Sequence, residues 1–241
     1  MEKPKPIEEL HVKIFGDGAK ESDILEMAQK TFIKGFTTNP SLMHEAGITD
    51  YVAFAKEVLS KVSDKPISFE VFSDDFNDME CQARIIHSWG ENVYVKIPIT
   101  NTAGISTAPL IQKLSAEGIK LNVTAILTTE QVATVASSLS VSTPSIVSVF
   151  AGRIADTGID PLAVMRDSKS LLAELPCAEL LWASCRETYN IYEADAVGAD
   201  IITVPYNILH KLNIIGTDLT EFSLEGVRTF YKAGRDSGFT I

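Results

Sequence analysis

Cysteine is scarce in this chain of 241 residues. The three cysteines, Cys81, Cys177 and Cys185, are an odd number and form no CxxC pair. This usage argues against a disulfide framework and against a structural zinc site. A reducing cytoplasm is the compartment that it fits best.

Basic residues are also few, with 21 lysines and arginines against 32 acidic residues and a formal net charge of -11. Nucleic acid and anionic membranes would repel such a chain, so we expect neither as a partner. Any phosphate that it binds needs a local basic pocket.

Two further features are missing. Residues 1–10 alternate charge and proline without an apolar core, so they are neither a signal peptide nor a membrane span, and we expect a mobile arm. The four histidines, His11, His44, His87 and His210, do not cluster with acidic residues. A catalytic metal is therefore a weak hypothesis, and we expect no cofactor.

The chain does contain eight short apolar runs rich in β-branched residues, separated by amphipathic helical stretches. Runs that are hydrophobic on both faces are typical of buried parallel strands. The runs are Val12–Phe15, Gly35–Thr38, Ile67–Phe72, Val93–Ile99, Leu121–Leu127, Ser145–Ala151, Glu179–Cys185 and Ile201–Val204.

Local signals mark the helices between these runs. Apolar residues from Thr49 to Val62 fall on one helical face. Thr128 followed by Gln131 resembles a capping box. Gly90 and Gly198 lie where a helix C-terminus favours a left-handed residue.

Eight strand-helix units without a linker predict a single (β/α)8 barrel over residues 11–241. A doubly wound open sheet is the alternative, but the first strand is not followed by a GxGxxG turn. The amphipathic segment Glu221–Gly234 predicts a C-terminal helix.

In such a barrel, the active site lies at the C-terminal ends of the strands, and polar residues occur there at spacings of 22 to 36 residues. For Asn122, Thr124 or Ser148 taken alone, simple solvation is an equally good explanation. The residues are Asp17, Asn39, Glu70, Lys96, Asn122, Thr124, Ser148, Arg153, Ser184 and Arg186.

Lys96 differs from the others because it lies inside the apolar run Val93–Ile99, where its amine cannot easily reach water. Burial disfavours the ammonium form and supplies the free amine that carbonyl addition requires. Glu70 is equally out of place in Ile67–Phe72, and with Asp17 it suggests proton transfer around an imine. A structural ion pair of Lys96 with Glu70 or Asp17 is the alternative.

Five segments together resemble the transaldolase family, including its small microbial members and the fructose-6-phosphate aldolases. They occur in the order of that family and include the hallmark Thr-Thr-Asn-Pro-Ser. The segments are Gly35–Leu42, Val95–Pro98, Leu121–Thr124, Phe150–Ile154 and Ala183–Arg186.

The resemblance implies a (β/α)8 barrel and a class I aldol mechanism without metal. It implies that Lys96 attacks the C2 ketone of a ketose phosphate and that Asp17 is the acid/base at the C4 hydroxyl. Glu70 would move protons through a water oriented by Thr124. The bound dihydroxyacetone unit would then pass to an aldose phosphate.

The same resemblance implies the binding residues. Asn39, Asn122 and Ser148 match positions that hydrogen-bond the bound sugar or imine. Arg153, Ser184 and Arg186 match the phosphate site, and Phe150 lies beside the substrate. The implied donors are sedoheptulose 7-phosphate and fructose 6-phosphate, and the acceptors erythrose 4-phosphate and glyceraldehyde 3-phosphate, as in the non-oxidative pentose phosphate pathway.

Two positions separate transaldolases from the aldolases that they resemble. The aldolases carry Gln where this chain has Glu70 and Tyr where it has Phe150, so both positions indicate a transaldolase. Three positions depart from the family, namely Val149 for a common proline, Cys185 for an aromatic residue, and Glu187 for Asn. We expect the carboxylate of Glu187 to weaken the hold of Arg186 on phosphate.

The resemblance also implies a homo-oligomer, a pentamer or a decamer, assembled through the C-terminal helix. An ordinary barrel helix is the alternative for that segment. For the function, the alternatives are a lyase that releases free dihydroxyacetone and a barrel that binds sugar phosphates without turnover.

Overall fold

The strands of this protein form one closed barrel in a computed structural model that describes residues 3–240. All eight strands are parallel and pair in sequence order, so the predicted (β/α)8 barrel is confirmed. Met1, Glu2 and Ile241 lie outside the described residues. The strands are β1 (Lys13–Asp17), β2 (Ile33–Thr37), β3 (Ile67–Glu70), β4 (Val93–Pro98), β5 (Leu121–Ile126), β6 (Ser145–Val149), β7 (Ala178–Trp182) and β8 (Ile201–Pro205).

Helices occupy every connection between successive strands. They are α1 (Glu21–Ala28), α2 (Pro40–Glu45), α3 (Tyr51–Lys61), α4 (Phe76–His87), α5 (Ala108–Ala116), α6 (Thr129–Ala136), α7 (Ala151–Asp156), α8 (Pro161–Leu171), α9 (Asn190–Ala196), α10 (Tyr206–Leu209) and α11 (Leu219–Asp236). Two short 3-10 helices, Ile7–Glu9 and His210–Ile214, complete the chain.

The local helix signals are mostly confirmed. Thr128 and Gln131 form the capping box at the start of α6, and Gly198 has a φ of 76°. The prediction for Gly90 is wrong, because its φ is not positive. There, α4 ends at His87, its C-cap Ser88 is right-handed, and the chain reaches β4 without a left-handed turn.

Several predicted strands run too far at their C-terminal ends. β6 stops at Val149 because α7 begins at Ala151. β7 stops at Trp182, and two residues later Ser184 adopts a left-handed φ of 64°. The apolar pattern continues past both strand ends because Ala151, Ala183 and Cys185 stay buried there.

Apolar side chains fill two regions. Most of them lie between the strands and the surrounding helices. A smaller group inside the barrel includes Phe15, Ile146 and Leu181. Gly35, the partner of Phe15 across β1 and β2, leaves room for its ring, since a Cβ at Gly35 would lie 2.6 Å from it. This interior packing supports the layer of polar residues above it.

The two ends of the chain differ in their contacts. Ile7 and Leu10 pack against the apolar core, and the backbone carbonyl of Lys5 accepts a hydrogen bond from the Tyr192 hydroxyl. The mobility of residues 1–10 stays a prediction. By contrast, α11, which contains the predicted segment Glu221–Gly234, has no buried residue within its described range. Among residues 3–240, no helix is long and apolar enough to cross a membrane.

Candidate active site

Lys96 lies on β4 directly beside Glu70 on β3, because the two residues are register partners in the parallel sheet. Lys96 is only 7% exposed. Its Nζ atom is 3.2 Å from Glu70 Oε2 and donates a hydrogen bond of 3.2 Å to the carbonyl oxygen of Thr38. The amine thus lies at the top of the barrel in contact with a carboxylate, an arrangement that fits both a catalytic lysine and the alternative of a structural ion pair.

Asp17 ends β1 and is the second carboxylate of the site. Its Oδ1 atom accepts a hydrogen bond of 2.7 Å from the Thr37 hydroxyl, which is itself bonded to the Thr203 hydroxyl. Burial raises the pKa of Asp17, and the charge of Lys96 and the Thr37 hydrogen bond offset part of that rise. A carboxylate in this setting is a stronger base than one in water.

Thr124 lies beside an irregularity in β5. The pairing of β5 with β6 shifts register between Val123 and Ile126, and Ala125 has a left-handed φ of 61°. Such bulges interrupt the regular alternation of side chains between the two faces of a strand and redirect the side chains beside them. The Thr124 hydroxyl is buried, and it has no hydrogen-bond partner among residues 3–240, so it can orient a small polar molecule.

Asn122 and Ser148 form a hydrogen-bonded pair inside the barrel. The Ser148 hydroxyl donates to Asn122 Oδ1 at 2.6 Å, and Asn122 Nδ2 donates to Ser68 Oγ at 2.9 Å. All three residues are buried. Asn39 instead caps α2, where its side chain accepts a hydrogen bond from the Leu42 amide at 3.0 Å.

A cavity of about 110 Å³ unites most of the predicted site residues. Glu70 and Asn122 do not line it, but they contact Lys96 and Ser148, which do. Arg186 does not line it either. The lining residues are Asp17, Thr37, Asn39, Lys96, Thr124, Ser148, Phe150, Arg153, Leu181, Ala183, Ser184 and Thr203.

One side of the cavity is built by the ends of β6 and β7. Arg153 lies over the ring of Phe150, 4.8 Å from its centroid. A Cβ at Gly152 would lie 1.6 Å from the backbone oxygen of Ser184, so only glycine permits this contact. The close approach brings Ser184 to the same wall as Arg153.

Arg186 is placed differently from the prediction. Its guanidinium donates a hydrogen bond to the carboxylate of Asp156, the last residue of α7. The carboxylate expected beside Arg186 was that of Glu187, whereas the structure places Asp156 there. Cys185, which directly precedes Arg186, is buried, and burial raises the pKa of its thiol to about 12.

Sequence reasoning missed four polar residues of the site. Thr37, Thr38 and Ser68 are hydrogen-bonded to predicted residues, whereas Thr203 is hydrogen-bonded to Thr37 and lines the cavity. Thr37 and Thr38 lie in the Thr-Thr-Asn-Pro-Ser segment without an assigned role. Thr203 is a lone hydroxyl in an apolar strand that has no ionisable side chain. Its polar nature was the only available signal.

Among residues 3–240, no three His, Cys, Asp or Glu side chains form a group that could hold a metal ion.

Replacing Thr37 by valine should raise the pKa of Asp17 further. The substitution removes a hydrogen bond to the charged carboxylate and leaves its burial in place. Carbon-13 NMR titration of the labelled carboxyl, assigned with Asp17→Asn, measures the shift. Thr37→Ser keeps the hydroxyl and should resemble the parent protein. An unchanged or lower pKa in Thr37→Val would contradict this role of the hydroxyl.

Comparison with known proteins finds a family model and relatives that match most of this chain. The family model described as Transaldolase/Fructose-6-phosphate aldolase matches residues 14–240. A protein of Thermoanaerobacter sp. (strain X514) named Probable transaldolase is 34% identical over 231 residues, which cover 95% of this chain and 100% of that protein. A Thermoplasma volcanium protein of the same name is 35% identical over 204 residues, covering 83% and 87% of the two chains.

Among solved structures, a dihydrodipicolinate synthase family protein from Coccidioides immitis matches with a TM-score of 0.58 and 12% identity. The match covers 93% of this chain and 73% of that one, and it shows the fold alone. The family model and the relatives show more than the fold. This chain belongs to the transaldolase/fructose-6-phosphate aldolase family.

Proposed function

We propose that this protein is a transaldolase that moves a dihydroxyacetone unit from a ketose phosphate to an aldose phosphate through a Schiff base on Lys96. The contact that carries the proposal is Lys96 Nζ with Glu70 Oε2 at 3.2 Å, buried at the base of a cavity that Asp17 and Thr124 also line. Family membership supports the same chemistry.

The first step needs a free amine on Lys96. Glu70 is in position to take the proton of the ammonium group. The Lys96 nitrogen then adds to the C2 carbonyl of the donor, and the carbinolamine loses water to form the imine. A water held by the Thr124 hydroxyl would pass protons between Glu70 and the reacting oxygen.

Carbon-carbon bond cleavage needs a base at the C4 hydroxyl, and we assign this role to Asp17. As Asp17 takes the hydroxyl proton, the C3–C4 bond breaks and its electrons move into the imine to give an enamine. The aldose phosphate leaves. C3 of the enamine then attacks the aldehyde of the acceptor, and Asp17 returns the proton. Hydrolysis of the new imine frees Lys96.

The polar wall of the cavity suits a sugar phosphate. Ser148 and Asn39 offer hydrogen bonds to hydroxyl groups, and Arg153 and Ser184 offer donors to a phosphate. In a chain with a net charge of -11, this basic position is where an anion is expected to bind. We propose fructose 6-phosphate and sedoheptulose 7-phosphate as donors, with erythrose 4-phosphate and glyceraldehyde 3-phosphate as acceptors.

Phe150 favours transfer over release of free dihydroxyacetone. A tyrosine hydroxyl at this position would lie in the cavity that holds Lys96 and could protonate the enamine. Phenylalanine supplies no proton, so the enamine persists until an acceptor aldehyde arrives.

With fructose 6-phosphate as the only substrate, the protein should therefore release dihydroxyacetone slowly. Addition of erythrose 4-phosphate as acceptor should strongly accelerate consumption of fructose 6-phosphate. Phe150→Tyr should raise the release without acceptor on the order of tenfold or more, and Phe150→Leu is the control without a hydroxyl. An enzymatic assay for dihydroxyacetone measures each rate. Release by the parent protein as fast as transfer would identify a lyase, and no turnover by either route would favour a binding protein.

We also propose that the protein is a homo-oligomer assembled through α11. Phe222, Val227 and Phe230 are exposed on one side of this helix, Phe230 to 79%. Glu221, Glu225 and Lys232 lie on the other side. An exposed apolar stripe with a polar opposite face is typical of a helix that packs against a partner. Copies of the same chain are the partners that the family resemblance implies.

The double variant Phe222→Ser and Phe230→Ser should dissociate the oligomer into monomers, because it removes the apolar contact area. Sedimentation velocity measures the mass of the assembly. Glu225→Gln, on the polar face, should leave it unchanged. A monomeric parent protein, or an assembly that survives the double substitution, would contradict the role of α11.

A further inference from the structure

The position of Arg186 suggests a control on phosphate binding that rests on the proposed function. Its side chain crosses the first turn of α7, where its Cγ atom would lie 3.2 Å from a Cβ at Gly152. Its guanidinium then reaches Asp156, four residues further along α7. The glycine thus opens the path that the Arg186 side chain follows.

The cavity lies at the other end of the same helix. Phe150, which precedes α7, lines the cavity with Arg153 in the first turn, whereas Asp156 is the last residue of α7. With a rise of about 1.5 Å per residue, Asp156 lies roughly 7 to 8 Å along the axis from Ala151. Arg186 is consequently held outside the cavity wall, and Arg153 is the arginine that lines it.

The ion pair that holds Arg186 is open to exchange. The side chains of Arg186 and Asp156 are 51% and 53% exposed, so solvent weakens their attraction. A sugar phosphate carries close to two negative charges and accepts bidentate hydrogen bonds from a guanidinium. It competes with a single carboxylate for the same donors.

We propose that Asp156 is a specificity-determining residue that competes with the phosphate of the substrate for Arg186. Binding through Arg186 requires the guanidinium to leave Asp156 and turn to the phosphate beside Arg153. Asp156 therefore lowers the affinity for phosphorylated substrates and does not alter the affinity for an unphosphorylated donor. The chemistry at Lys96 is unaffected, since neither residue contacts it.

Asp156→Asn tests this proposal. The dissociation constant for inorganic phosphate, measured by calorimetry, and the KM for fructose 6-phosphate should both fall about two- to fivefold, the range expected for an exposed ion pair. The kcat for transfer and the KM for fructose should stay the same. Asp167→Asn, an exposed carboxylate on α8, changes the net charge equally and should have no effect.

Arg186→Gln completes the test. In that background, Asp156→Asn should no longer tighten phosphate binding, because the guanidinium for which Asp156 and phosphate compete is gone. An unchanged or weaker phosphate affinity in Asp156→Asn, or an equal gain in Asp167→Asn, would overturn the proposal. If the parent protein neither binds phosphate nor turns over fructose 6-phosphate, the proposed function fails as well, which distinguishes the two results.

Discussion

The contact between Lys96 and Glu70 is the interaction on which the site depends. Two ionisable side chains are placed in the interior of a barrel where only 7% of Lys96 is exposed. Removing one partner of such a buried pair leaves an uncompensated charge, which costs about 3–5 kcal/mol in other proteins. The barrel accepts this pair because the register of β3 and β4 brings both residues to the same height. The remaining polar residues are arranged around it.

The sequence was sufficient to predict the barrel and the height of the polar layer. Eight apolar runs, each followed by an amphipathic helix, leave few other architectures. Lys96 was recognisable as a functional candidate because a lysine is rarely buried in an apolar strand without a charged partner or a chemical role. The strand ends were harder to predict, since Ala151, Ala183 and Cys185 are buried beyond their strands and continue the apolar pattern.

Side-chain partners could not be predicted from the sequence. Thr203 on β8 is hydrogen-bonded to Thr37 on β2, 166 residues away in the chain, and Thr37 donates to Asp17 on β1, the strand that lies between them. The pairing of Arg186 with Asp156 depends on the path of a side chain over Gly152, and sequence proximity favoured Glu187 instead. Such contacts follow from the packing of neighbouring strand ends. Arg153 in the first turn of α7 lines the cavity, whereas Asp156 at the end of α7 binds Arg186 outside the cavity lining.

Borohydride trapping tests most directly whether Lys96 is a nucleophile or one half of a structural ion pair. Reduction in the presence of fructose 6-phosphate should convert the imine into a stable secondary amine. Peptide mass spectrometry should then find an adduct of the six-carbon donor or of its three-carbon fragment on the peptide that contains Lys96, and none on the peptide that contains Lys120 or without substrate. An unmodified Lys96 in protein that turns over the substrate, or turnover that survives Lys96→Ala, would contradict the Schiff-base mechanism.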